Sequence, residues 1–84
     1  MDVRFSEQAW EEYLYWQHAD RAKLARINEL IRDIRRQPFK GIGKPEPLRF
    51  GYAGYWSRRI DQEHRLVYKV EKGTAFVAQC RYHY

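Results

Sequence analysis

The spacing of apolar residues changes character twice along the chain. Val3 to Phe5 reads as a short strand. Ser6 then has the chemistry of a helix N-cap, with Glu7 favourable in the first turn. Ala9, Trp10, Tyr13, Leu14 and Gln17 recur at three- and four-residue intervals, which predicts a helix to about residue 18. Asp20 can cap a second helix, whose apolar stripe is Leu24, Ile27, Leu30, Ile31 and Ile34. Arg32, Arg35 and Arg36 suit the negative end of its dipole, and Pro38 stops it. Two helices this close in sequence form a hairpin.

Residues 38–47 break the periodicity with Pro38, Gly41, Gly43, Pro45 and Pro47, predicting an irregular loop that carries Lys40, Lys44 and Glu46. Alternating strand patterns follow at Tyr55–Ile60, Arg65–Val70 and Thr74–Tyr82. The turns between them, Asp61-Gln62-Glu63 and Glu71-Lys72-Gly73, are short enough for antiparallel pairing. The expected class is α+β, one domain over residues 1–84, with two N-terminal helices packed on one face of a small antiparallel β-sheet. Alternation puts Arg65, Val67 and Lys69 on one face and Leu66, Tyr68 and Val70 on the other. In the last strand Gln79, Arg81 and His83 share a face, away from Cys80, Tyr82 and Tyr84, unless a bulge exchanges the sets. With helices over the apolar side, the opposite side presents arginines.

Charge sharpens this picture. Residues 1–31 hold four basic and six acidic side chains, a net of −2, whereas residues 32–84 hold twelve and five, a net of +7. A positive region of that size favours a polyanion such as nucleic acid, although a basic surface also serves solubility alone. One cysteine, Cys80, excludes an internal disulfide framework and fits a reducing compartment. No apolar run is long enough to span a bilayer, and the first residues show no signal-peptide core, so the expected location is the cytoplasm without membrane contact. Three scattered histidines and one cysteine give no metal-ligand spacing, so neither a metal nor another cofactor is expected. Trp10, Trp16 and Trp56 read as core or dimer contacts, and Cys80 as a small buried residue.

Four blocks carry a family resemblance: Gly43-Lys44-Pro45-Glu46-Pro47-Leu48, Gly54-Tyr55-Trp56-Ser57-Arg58-Arg59-Ile60, Glu63-His64-Arg65-Leu66-Val67-Tyr68 and Cys80-Arg81-Tyr82-His83-Tyr84. Together with Tyr13-Leu14-Tyr15-Trp16 and Ile27-Asn28-Glu29-Leu30-Ile31, they resemble the YoeB toxins of the RelE/ParE superfamily over essentially the whole chain. The resemblance implies a toxin of a type II toxin–antitoxin system: a ribosome-dependent endonuclease that cuts mRNA in the ribosomal A site and inhibits translation. It also implies a YefM-type antitoxin, a homodimer, and contact with mRNA and rRNA. Arg49 and Phe50 stand where the family commonly carries a lysine and a polar residue or histidine.

Metal-free RNA cleavage by the ribose 2′-OH needs a base, an acid for the departing 5′-oxygen and positive charge on the phosphate. Glu46, restrained between two prolines, is the candidate base, and His83 the candidate acid. Arg65 is the candidate transition-state cation, and the resemblance gives Tyr84 a role in positioning substrate. Lys44, Arg49 and Arg59 are candidate RNA-binding residues. Arg58 is counted with these cations in the salt-dependent contact with RNA, although alternation turns it to the other side of its strand. His18 and His64 are assigned no catalytic role. On position alone Glu46 also reads as a solvated loop glutamate, His83 as a surface histidine, Arg65 as a partner of Glu63 or Glu71, and Tyr84 as a free end. A non-catalytic RNA- or ribosome-binding protein fits the same basic face. A ParE-like gyrase poison shares the fold but has no need for the Glu46 loop or the His83-Tyr84 end.

Overall fold

Helix boundaries follow from their caps. In a computed structural model, which describes residues 1–82, β1 (Asp2–Phe5) runs into α1 (Glu7–Ala19) through Ser6. The Ser6 hydroxyl accepts the Ala9 N–H at 2.9 Å and donates to the Ala78 carbonyl at 2.7 Å, so the cap also fastens the helix start to the sheet. The Asp20 N–H closes α1 on the Trp16 carbonyl, and its carboxylate accepts the Ala22 and Lys23 N–H groups that begin α2 (Arg21–Arg36). One residue therefore ends one helix and starts the next, and the expected hairpin forms.

The remaining elements are β2 (Glu46–Pro47), a single 3₁₀ turn at Phe50–Tyr52, β3 (Trp56–Arg59), β4 (Arg65–Glu71) and β5 (Thr74–Gln79). They form one five-stranded sheet in the order β1-β5-β4-β3-β2. Pairing is antiparallel except between β1 and β5, which run parallel. The parallel pair is possible because a long crossover, including both helices, separates these strands in sequence. Ile27, Leu30 and Ile34 of α2 and Ala9 and Trp16 of α1 pack with Leu66, Tyr68, Ala75, Val77 and Cys80 in one core.

Three details depart from the sequence expectation. Glu46 and Pro47, expected in an irregular loop, pair with Ser57 and Trp56 as an edge strand. An edge tolerates Pro47 because the missing N–H faces no partner strand. The last strand ends at Gln79, and the pairing shifts register there: Val67 lies opposite Gln79 but Tyr68 opposite Val77. Ala78 is the extra residue of a bulge, which leaves Ala75 and Val77 facing the core and puts Gln79 with Phe76 on the open face.

Past the bulge, the chain is tied down by α1 and β4. Trp16 Nε1 donates to the Cys80 carbonyl at 2.9 Å, and Glu12 accepts the Cys80 N–H at 2.8 Å. Burial pushes the Cys80 thiol up to about 12, with the Glu12 carboxylate adding to the effect, so the side chain is an inert core group. Of the tryptophans, Trp16 is buried and Trp56 half-buried, while Trp10 stays exposed, stacked on Tyr13 with ring centres 5.8 Å apart.

Candidate active site

The register of the strands decides which side chains meet on the open face. Glu46 pairs with Ser57, Ser57 with Val67, Arg59 with Arg65, and Trp56 and Arg58 with Tyr68 and Leu66. Paired residues share a face, so Glu46, Ser57, Arg59, Arg65 and Val67 lie on the side away from the core. Beyond β4 the Arg65 N–H donates to the Tyr82 carbonyl at 3.0 Å. Glu46, Ser57 and Val67 therefore form one row across the sheet, and Arg59, Arg65 and the backbone of Tyr82 form the next row on the same face.

Arg58 is on the opposite side and is fully buried, which removes it from the expected RNA contacts. Its guanidinium donates to Asp33 Oδ2 at 2.6 Å, to the Gln37, Lys40 and Ile42 carbonyls at 2.7, 3.0 and 3.1 Å, and to the Tyr68 hydroxyl at 3.1 Å. Tyr68 donates onward to the Pro38 carbonyl at 2.6 Å. Burial alone would raise the Asp33 carboxyl, but hydrogen bonds from Arg36, the Ile42 N–H, Arg58 and Gln37 outweigh it and hold the group well below the usual carboxylate range. Arg58 thus pins residues 37–42 against the sheet. Gly43 extends the docking: its φ of +79° suits glycine, and a Cβ there would lie 2.7 Å from Leu30 Cδ2. The Arg59 N–H donates to the Gly43 carbonyl at 2.7 Å, immediately before Lys44 and Glu46.

Glu46 is exposed, with Lys44 Nζ 3.6 Å from its Oε1. Arg49 stands just past the edge strand, and Glu46 to Tyr52 line one open depression. Arg59 is exposed and Arg65 half-buried. Arg65 is bonded neither to Glu63 nor to Glu71: its Nη1 donates to the Asp61 and His64 carbonyls at 2.7 and 3.1 Å. The turn that offers those carbonyls is itself braced. Asp61 Oδ1 accepts the Glu63 and His64 N–H groups, and Oδ2 lies 3.0 Å from Lys23 Nζ. Burial raises the Asp61 carboxyl, but the His64 N–H, Lys23 and the Glu63 N–H together bring it down to about 2.

His64 has a structural part that sequence reasoning missed. It is buried edge-on against Trp16, and its Nδ1 accepts the Tyr82 N–H at 2.7 Å. Together with the Arg65 N–H it fixes the backbone of Tyr82 beside Arg65. The only sequence signal was its place directly before Arg65 in a polar turn. His83 and Tyr84, the expected acid and positioning residue, lie outside the described residues.

A family model of YoeB-like toxins of bacterial type II toxin–antitoxin systems matches residues 5–84. The chain belongs to this family. It is 55% identical to Toxin YoeB of Escherichia coli strain K12 over all 84 residues of both chains, and 54% identical to Toxin YoeB of Streptomyces coelicolor over the same full length. Among solved structures, a YoeB/ParE toxin from Agrobacterium tumefaciens superimposes over the whole of both chains with a TM-score of 0.96 at 48% identity. YoeB in a heterotetrameric YoeB–YefM complex from Staphylococcus aureus matches with a TM-score of 0.93 at 47% identity, covering all of this chain and 98% of that one. Escherichia coli YafQ, at 22% identity and a TM-score of 0.73, shares the fold. Membership of the YoeB family makes this chain a toxin of a type II toxin–antitoxin system.

Proposed function

We propose that this toxin is a ribosome-dependent mRNA endonuclease that cuts in the A site by attack of a ribose 2′-OH on the adjacent phosphate. The observation that carries the reading is the open face, where Glu46 stands one row along from Arg59, Arg65 and the Tyr82 backbone in a YoeB-family toxin. Glu46 accepts the 2′-OH proton as the 2′-oxygen bonds to phosphorus. Arg65, its Nη1 held by two carbonyls, presents the rest of its guanidinium to the non-bridging oxygens and offsets the charge that builds there. The bond to the 5′-oxygen breaks and His83 supplies that oxygen's proton, leaving a 2′,3′-cyclic phosphate and a 5′-hydroxyl. Tyr84 positions the substrate. Lys44, Arg49 and Arg59 hold flanking phosphates of mRNA or rRNA.

The Staphylococcus aureus relatives give the partners of this reading. One is a YoeB dimer and another a YoeB–YefM heterotetramer. By analogy, this chain forms a homodimer and is neutralised by a YefM-type antitoxin in the cytoplasm, where its ribosomal target resides.

The test is cleavage of mRNA on programmed ribosomes with a single 2′-deoxyribose at the scissile position. That change removes the nucleophile and leaves every phosphate charge in place. Cutting should stop at that site only, while binding of toxin to the complex persists. In the same assay, Glu46→Gln should slow cutting of the ribose substrate by roughly 10²–10⁴-fold. Normal cutting of the deoxy mRNA would refute both the nucleophile and the part given to Glu46.

A further inference from the structure

The turn between β2 and β3 holds a group that the chemistry above leaves unused. Phe50 is 92% exposed, and its φ of +59° lies in the left-handed region that side chains with a Cβ avoid. The ring is nonetheless mounted on a built turn. The Tyr52 N–H donates to the Arg49 carbonyl at 3.2 Å, the Ala53 N–H to the Phe50 carbonyl at 3.0 Å and the Tyr55 N–H to the Tyr52 carbonyl at 3.0 Å. At its base the Leu48 N–H donates to the Tyr55 carbonyl at 2.9 Å, and the Leu48 side chain is buried. Phe50, Arg49 and Glu46 line the same open depression, and Lys44 lies against Glu46.

An aromatic face in water on an unfavourable backbone gives the free chain nothing, and its value must come from what it meets. We propose that Phe50 is a stacking platform for an unpaired nucleobase next to the phosphate served by Glu46 and Arg65, and that it sets the base preference there. This rests on the nuclease reading. Single-stranded RNA is gripped by aromatic rings that stack its bases and by cations that hold its phosphates, and the depression offers a ring with Arg49 beside it. Pro47, Leu48 and the exposed Tyr52 share the depression with the ring, and Arg49 and nearby Lys44 set cations beside that apolar lining, the combination that grips single-stranded RNA. A fixed turn also spares the ordering cost that a mobile aromatic would carry on binding.

The experiment measures cleavage at limiting toxin on programmed ribosomes, with mRNAs that differ by one purine or pyrimidine at each A-site position. Phe50→Ala should lower the rate by about 5- to 150-fold, the range expected for losing one stacked base, and should erase a preference between bases at one position. Phe50→Trp should restore both. Phe50→Gly, which the left-handed backbone accepts without strain, serves as the folding control and should cut as poorly as Phe50→Ala. Glu46→Gln is run alongside. If the parent chain does not cut, the nuclease assignment itself falls, and if Glu46→Gln cuts at the parental rate, the part given to Glu46 falls. If that variant is inactive while Phe50→Ala and Phe50→Gly cut normally with unchanged base preference, the stacking platform alone falls. Normal cutting by Phe50→Ala with a defect in self-association or antitoxin binding gives the ring to a protein contact and likewise overturns the proposal.

Discussion

At the scale of single residues, the two adjacent arginines Arg58 and Arg59 divide the labour of the sheet. Arg59 faces solvent, while Arg58 spends its whole guanidinium on Asp33, three carbonyls and Tyr68. Alternation along the strand places Arg58 on the side opposite Arg59. Its burial partner Asp33 could not be read, because nothing local links residues 33 and 58. Removing one member of a buried pair strands the other's charge, so Arg58→Ala should destabilise the protein by roughly 3–5 kcal/mol. Asp33→Ala should cost a similar amount and the double variant less than the sum, as urea unfolding would show. Strict additivity would mean that the pair is not coupled. The sign of the pH dependence follows from the depressed carboxyls. Asp33 and Asp61 both lie below the ordinary value of 3.8 in the folded chain, so their contribution is complete above about pH 4 and fades as pH falls. For Asp61 the loss runs from about 3.8 down to about 2. Asp33→Asn should therefore flatten the acid limb of a stability–pH curve, and an unchanged limb would contradict the assigned shift.

Elements were legible where local chemistry specifies them. Ser6, Asp20 and Pro38 mark helix ends in any context, and both caps form the bonds their residue types foretell. What escaped local reading depends on distant pairing. Glu46–Pro47 becomes a strand only because β3 offers an edge, β1 is parallel because β5 arrives from the far end of the chain, and the Ala78 bulge appears only in the register between two strands. The candidate site shows the same division. The type and order of Glu46, Arg59 and Arg65 are evident in the chain, but their placement in adjacent rows of one face needs the strand register. Asp20 is the economical point at which to test the helical hairpin, since its side chain accepts two N–H groups of α2 and its backbone closes α1. Asp20→Ala should lower stability by about 0.5–2 kcal/mol, and Asp20→Asn, which still caps, by less. Equal losses in the two variants, measured as urea midpoints, would assign the effect to the carboxylate's charge beside Lys23 instead.

For the whole molecule, charge and architecture coincide. The net of −2 belongs to the segment that forms β1, α1 and the first part of α2, whereas the net of +7 belongs to the rest, including β2 to β5 and the open face. Only part of that charge can reach a polyanion, because Arg58 is sealed inside. This makes the salt dependence of binding a test of geometry as well as of charge. Binding to ribosomal or messenger RNA should weaken linearly on a log–log plot as salt rises, since each neutralised phosphate releases counterions. Lys44→Gln, Arg49→Gln and Arg59→Gln should each reduce the slope by about 0.7 on single-stranded RNA, the increment for one lost phosphate contact. They should leave the unfolding midpoint nearly unchanged, because exposed charges contribute little to stability. Arg58 carries the same formal charge but should behave in the reverse way: Arg58→Gln lowers the midpoint, and the fraction still folded keeps the parental slope. Titrations of toxin with a short RNA at several salt concentrations, paired with unfolding curves for the four variants, separate the two classes. A parental slope in all three surface variants would move the RNA away from the Glu46–Arg65 side of the sheet. A reduced slope for folded Arg58→Gln would mean that the buried pair opens to bind phosphate.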